Sequence, residues 1–230
     1  MARVVIPGAL VVAAACAVGG ASAGASVALA VPALVASLLV LAADVGRAWV
    51  QASAYGDEER FPLRPPAGYL AASVGSWLIW AVAAVASAVA WTDGEWIAAV
   101  ALTAVVAAGL MLLPRRWHQL SRRWLVAVPA GVVVHDPVML GETLMLPRRQ
   151  IAGLRLLRLG PDRELGAADL TGPTAGIGIE VVLHEAATAL FAPRPGLPKG
   201  RAVHLTAFVV APSRPGAALD EARRRHLPVH

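Results

Sequence analysis

Hydrophobic and polar positions follow two rhythms along this chain of 230 residues. Up to residue 114 they form long apolar blocks rich in Ala, Val and Leu; beyond it they break into short runs with a period of two, punctuated by Gly and Pro. Four stretches that lack ionisable residues approach membrane-crossing length, at about 4–20, 26–43, 69–91 and 96–113. A helix rising about 1.5 Å per residue needs roughly 20 apolar residues to cross about 30 Å of hydrocarbon. The last two stretches meet that requirement and are framed by rings suited to the headgroup level, Tyr69 and Trp91 for one, Trp96 and Trp117 for the other. The opening "MARVVIPGALVVAAACAVGGASAGAS" reads either as a retained helix or as a signal peptide, with Arg3, an apolar core and a cleavage site at Ala21-Ser22-Ala23. A lipoprotein anchor at Cys16 fits less well, because Ala13-Ala14-Ala15 leads poorly into it. The pattern therefore predicts a transmembrane bundle of three or four helices over residues 1–114 and a second domain over 115–230.

Arginine sets the expected orientation. The 44–68 connection carries Arg47, Arg60 and Arg64, and the segment after the fourth stretch carries Arg115, Arg116, Arg122 and Arg123, whereas the 92–95 turn has only acids. Positive residues are retained in the cytoplasm, so the N-terminus, the middle connection and the long tail are expected on that side of the bacterial inner membrane. The join "RRWHQLSRRW" supplies the candidate membrane-interface and anionic-lipid residues: Arg115, Arg116, Trp117, Arg122, Arg123 and Trp124. Each arginine close to an anionic leaflet contributes about 1 kcal/mol of attraction. The middle connection, which stiffens at Pro62, Pro65 and Pro66, reads as an interfacial helix extension followed by a linker, with partner docking as an alternative.

Beyond Arg123 seven short β-runs are predicted, at about 123–128, 131–136, 143–147, 151–159, 177–184, 188–192 and 202–210. Pro129-Ala130-Gly131 marks a tight hairpin between the first two. Residues 160–176 and 193–201 have loop composition, and the first is long enough to hide an eighth element. A final short helix follows, with Ser213 as a candidate cap, Pro215 in its first turn, an apolar stripe of Ala218, Leu219 and Ala222, and Arg223, Arg224 and Arg225 near its end. Through "RRWLVAVPAGVVVHDP", "LPRRQIAGLRLLR" and "ALDEARRRH", residues 117–227 resemble the bacterial pleckstrin-homology-like (PH-like) domains appended to membrane spans in uncharacterised actinobacterial membrane proteins. That resemblance implies a mostly-β barrel of about seven strands with a C-terminal helix, and no catalytic residues.

Composition sharpens the division. The chain is 57% hydrophobic and only 15% charged, and all seven tryptophans precede residue 125. Residues 115–230 hold sixteen basic and nine acidic side chains, against four and six in residues 1–114, an asymmetry suited to an anionic membrane surface. The excess does not point to nucleic acid, because the only aromatics after Trp124 are Phe191 and Phe208 and stacking platforms are scarce. His135 adjoins Asp136 and His184 adjoins Glu185, but neighbours on a strand point to opposite faces and are badly placed to act together. His184 and His204 could share a face, yet a pair without a third ligand is a poor metal site. There is no nucleophile motif, phosphate loop or dinucleotide fingerprint, and no ionisable residue within the four apolar stretches to carry an ion or proton. The expected function is therefore a non-enzymatic membrane protein, without cofactor or metal, that presents a PH-like domain to a membrane-protein partner, to a second copy or to anionic lipid. The alternative is an accessory subunit of a transporter or channel.

Overall fold

The computed structural model describes residues 2–160, 167–172, 174–193 and 199–230; parts of the two expected loops, at 161–166, 173 and 194–198, lie outside the described residues. The chain forms two compact units, residues 1–45 with 71–118 and residues 46–70 with 119–230.

The first unit is helical. It contains α1 (Ala2–Val18), α2 (Ala23–Leu41) and most of α4 (Ala67–Thr92) and α5 (Trp96–Ser121). Helices α2, α4 and α5 are long and apolar enough to cross a membrane, whereas α1, at 17 residues, is shorter. Of the four expected spans, three therefore have full length. α1 and α2 form a hairpin around Gly20, which sits at φ 85°, and the Ser22 hydroxyl caps α2 by accepting from the Ala25 amide at 3.2 Å. At the other end Arg3 donates to the carbonyls of Val40 at 2.9 Å and Ala42 at 3.4 Å, supplying donors to a helix end whose carbonyls have no partner within the helix.

Between α4 and α5, polar side chains find one another. The Trp80 indole donates to the Val106 carbonyl at 3.0 Å, Ser87 and Thr103 hydroxyls meet at 2.8 Å, and Trp117 donates to the Ser76 hydroxyl at 3.2 Å. Hydrocarbon offers no water to these groups, so pairing across helices is their remaining outlet. Gly109 permits the Trp80 approach, since a Cβ there would stand 2.4 Å from the Trp80 ring. Helix α5 continues through Pro114 to Ser121, past the expected limit of 113.

The second unit is mostly strand. β1 (Glu59–Pro62), β2 (Trp124–Val128), β3 (Gly131–His135) and β4 (Leu144–Pro147) form one antiparallel sheet in chain order. β5 (Ile151–Leu159), β7 (Gly176–Phe191), β8 (Arg201–Val210) and the two-residue β6 (Ala168–Asp169) form the other, in the order β5-β7-β8-β6. Isolated bridges, Leu63 to Pro212 and Leu140 to Phe191, join the sheets. The result is a pair of open sheets and not the closed barrel expected: among the described residues only single bridges, and no continuous ladder, cross between them.

Inward positions alternate along the strands, as a period of two requires. Phe61, Leu125, Val134, Leu146, Leu154, Ile179, Val181 and Phe208 fill one core, against which α6 (Pro215–Arg224) lays Ala218, Leu219 and Ala222. The Pro129-Ala130 hairpin forms as expected, and Gly131, at φ 153°, brings its α-carbon where a Cβ would be 2.0 Å from the Leu146 carbonyl oxygen.

Three further expectations are corrected. The middle connection begins with the expected helix, α3 (Ala43–Gln51), but its linker part contains β1, whose edge is covered by Gln51, its amide donating to the Glu58 carbonyl and accepting from the Arg60 amide, each at 2.8 Å. The predicted fifth and sixth runs are one strand, β7, which slips register between Val182 and Ala187 where "HEAA" interrupts the alternation; a bulge keeps the strand continuous while re-aiming its side chains. Ser213 does not cap α6; Arg214 takes the N-cap position and Pro215 follows it.

Candidate functional site

Alternation sorts the residues at the start of β2 into two sets. Arg123 points inward and Asp136, just past β3, meets it. The guanidinium grips the carboxylate at two points, Nε to Oδ1 at 2.7 Å and Nη2 to Oδ2 at 2.6 Å, and both side chains are 0% exposed. Nη1 donates to the Arg64 carbonyl at 2.7 Å, and Asp136 Oδ1 accepts from the Val138 and Met139 amides at 3.1 Å. The pair thus ties the chain after β1, the β2 entry and the β3–β4 turn together. A buried charge is tolerated when its donors and acceptors are filled in this way. Arg123 was expected among the headgroup-facing residues; its burial removes it from that set.

Trp124 and His135 take the outer side, and Arg122 lies in the turn before β2. Trp124 and His135 are register partners, and their rings stack with centroids 4.9 Å apart and planes 22° apart. From the strand on the other side, the Arg60 guanidinium lies over the Trp124 ring at 5.3 Å. Arg60 is held by Glu58, with Nε to Oε1 at 2.9 Å and Nη2 to the same oxygen at 2.5 Å, and by the Ser53 hydroxyl at 3.1 Å. His135 Nδ1 and the Thr143 hydroxyl share a hydrogen bond of 3.0 Å. Partial burial lowers the His135 pKa from the ordinary histidine value, and the positive charges of Arg122 and Arg60 push the same way, against the pull of Asp136. Arg122 is exposed, while Trp124 and His135 are half-buried.

In the helical unit Arg115 and Arg116 are exposed on the last turns of α5, and Trp117 is half-buried, edge-on to Trp80 at 6.2 Å. Of the six residues selected from the sequence, Trp124 forms an outer patch with His135 and Arg60, Arg122 is exposed in the turn before β2, Arg123 serves the interior, and Arg115, Arg116 and Trp117 belong to the end of a helix. His135 and Arg60 were missed as members of the patch. The signal that could have found His135 is its position opposite Trp124 across a two-residue turn; Arg60 lies 64 residues before Trp124 and carries none.

His135 and Asp136 diverge to opposite faces, as strand geometry requires. His204 shares a 3.0 Å hydrogen bond with the Thr188 hydroxyl. Among the described residues there is no group of three His, Cys, Asp or Glu side chains that could hold a metal ion. Elsewhere Arg64 reaches the carbonyls of Ala175 at 2.7 Å and Ile177 at 2.5 Å, and burial pulls its guanidinium below its ordinary value. Searches of protein-family models, curated proteins and solved structures give no match to this chain.

Proposed function

We propose that this chain is a non-enzymatic integral protein of the bacterial inner membrane that holds a PH-like domain at the cytoplasmic face, where the domain engages another membrane protein and, secondarily, anionic lipid. The observation that carries this reading is the insertion of α4 and α5 between two hydrogen-bonded strands, β1 and β2. The strand residues next to the two connections, Pro62 and Trp124, are register partners. Two residues lie between Ser121 and Trp124, which limits the connection to about 10 Å, and four lie between Pro62 and Ala67, which limits it to about 17 Å. Such a double tether serves display of a folded surface at the bilayer.

The strand order supports a PH-like assignment. A four-strand meander (β1 to β4), a three-strand meander (β5, β7, β8) and a C-terminal helix follow one another, with the membrane hairpin falling inside the first meander. The arginine distribution supports a cytoplasmic placement.

A cytoplasmic reporter fused after His230, together with affinity purification of the full chain from native membranes, tests the proposal. An active reporter and a reproducible partner are expected. A reporter active only outside the cell overturns the placement, and purification with neither partner nor anionic lipid overturns the display function.

The groove between α1 and α2, lined by Leu10, Ala13, Ala14, Ala17, Ser26, Val27 and Ala30, favours a second reading as an accessory subunit of a transporter or channel. Small residues let another helix approach closely, and the Ser26 hydroxyl is buried there without a partner. Co-purification lost on Ala13→Leu and Ala14→Leu, but indifferent to changes in the β unit, would favour that reading over the first.

A further inference from the structure

Helix α3 is turned the wrong way round for water. At about 100° per residue, Arg47 and Gln51 lie about 40° apart on one arc of the helix, and Trp49 stands about 160° from each. The polar arc faces the protein. Arg47 Nη2 meets Glu59 Oε1 at 3.2 Å, with its guanidinium 5.9 Å from the centre of the Phe61 ring, and the Gln51 amide holds the backbone of Glu58 and Arg60. Trp49, on the far arc, is 49% exposed, and Ala48 beside it is exposed as well. Among the polar residues of α3 only Asp44, in the first turn, is exposed. A surface helix in water does the reverse, apolar side inward and polar side outward. One exposed ring by itself would carry no meaning; the inward turn of Arg47 and Gln51 gives it one. The position of α3 along the chain supplies the medium. It follows α2, which is long and apolar enough to cross a membrane, after the single residue Ala42, whose φ of −58° and ψ of 141° break the helical path. Arg3 donates to the carbonyls of Val40 and Ala42, so a cation marks the polar limit of that crossing at the point where α3 begins.

We propose that α3 is an interfacial anchor, with Trp49 and Ala48 turned to the lipid surface where α2 leaves the bilayer and with Arg47 and Gln51 turned to β1. This deepens the proposed function: it rests on the crossing by α2 and is indifferent to which side of the membrane α3 occupies. An indole suits that depth, because its ring is apolar and its N–H can meet headgroup oxygens or water. Helices of this kind lay their apolar face roughly 5–10 Å into the boundary between headgroups and acyl chains. The contact is made by apolar surface, so it holds in neutral lipid. Through Gln51 the anchor also fixes the outer edge of β1 and, with it, the sheet that β1 begins.

Spin labelling of the full chain in phosphatidylcholine nanodiscs tests the anchor, in a Cys16→Ser background that removes the single native thiol. Labels are attached one at a time through Ala48→Cys on α3 and Leu34→Cys on α2, both exposed positions, and depth is read from accessibility to oxygen and to a water-soluble nickel chelate. The Leu34 label is expected deep in the hydrocarbon, and the Ala48 label at about 5–10 Å within the boundary. Trp49→Glu is expected to move the Ala48 label out to water, whereas Trp49→Tyr, which keeps an amphipathic ring, leaves its depth unchanged. An Ala48 label as open to the nickel chelate as free label in buffer, beside a deep Leu34 label, overturns the anchor alone. A Leu34 label in water overturns the crossing, and with it the proposed function. An Ala48 label shielded from both oxygen and nickel has a protein neighbour, which overturns lipid as the occupant. Unchanged depth in Trp49→Glu overturns the part given to Trp49, and Trp49→Tyr keeps that reading open to refutation where Trp49→Glu does not fold.

Discussion

The two units of this protein are inside out with respect to each other. In the helical unit many large apolar side chains point away from the protein, with Ile79 72% and Leu112 69% exposed, while most buried positions go to small residues, Ala13, Ala33, Ser37, Ala81, Ser87, Ala90 and Ala99, with Val40 the larger exception. In the β unit the arrangement reverses, and Phe61, Phe208, Ile179 and Val181 are buried. Water drives the second pattern, because burying large apolar surface is the main gain of folding there. In hydrocarbon that gain vanishes, so helices meet through small residues and through hydrogen bonds that have no solvent alternative. The difference teaches that composition alone misleads: an alanine-rich face is the packing surface in one unit and would be a weak core in the other.

Three tests break or sharpen this contrast, taken from the largest expected loss downward. Arg123→Met leaves Asp136 buried without its partner and should destabilise the β unit by about 3–5 kcal/mol, seen as early loss of protease resistance in residues 119–230; the companion Arg123→Met with Asp136→Leu should recover much of it. Phe208→Ala should cost about 3–5 kcal/mol through the cavity it opens, whereas Leu112→Ala, on an exposed face of α5, should change stability in lipid by less than about 0.5 kcal/mol. Denaturant titration in bicelles compares the two, and equal losses would refute the inside-out arrangement. Gly109→Leu drives a side chain into Trp80 and should cost about 1–3 kcal/mol by overpacking, read as a shift in Trp80 fluorescence in a background where the other tryptophans are replaced.

A smaller loss than these is expected in a pH dependence. Glu221 is partly buried, which by itself raises its pKa, but hydrogen bonds from Arg224 and Arg225 outweigh burial and hold it below the ordinary carboxylate value. A carboxyl group depressed in the folded state stabilises above its unfolded pKa of about 4.3 and loses that contribution as pH falls through the folded value. Glu221→Gln should therefore cost about 0.5–1 kcal/mol at neutral pH and flatten the acid limb of the stability curve, measured by thermal unfolding between about pH 6 and pH 3.

Much of this architecture is legible in the sequence because it depends on local periodicity. The long apolar blocks place α2, α4 and α5 to within a few residues, except that α5 runs on through Pro114; Pro129-Ala130-Gly131 places the β2–β3 hairpin, and alternation places β5 and β8. What escaped has a common cause. "ERFP" is short, charged and ends in proline, and it becomes a strand because β2, more than sixty residues later, offers an edge and Phe61 finds a core. The β7 bulge likewise depends on β8 as partner, whereas the two-residue β6 falls within 160–176, where an eighth element had room.

The interface residues divide along the same line. That arginines and tryptophans gather where α5 ends is a property of the chain, and so is the side shared by Trp124 and His135, since the two-residue turn makes them register partners. That Arg123 is withdrawn from its neighbours to grip Asp136, and that Arg60 arrives from the far side of two membrane helices to cover Trp124, depend on contacts between distant segments. A one-dimensional pattern encodes which face a residue takes; it carries no record of which remote strand will be there to meet it.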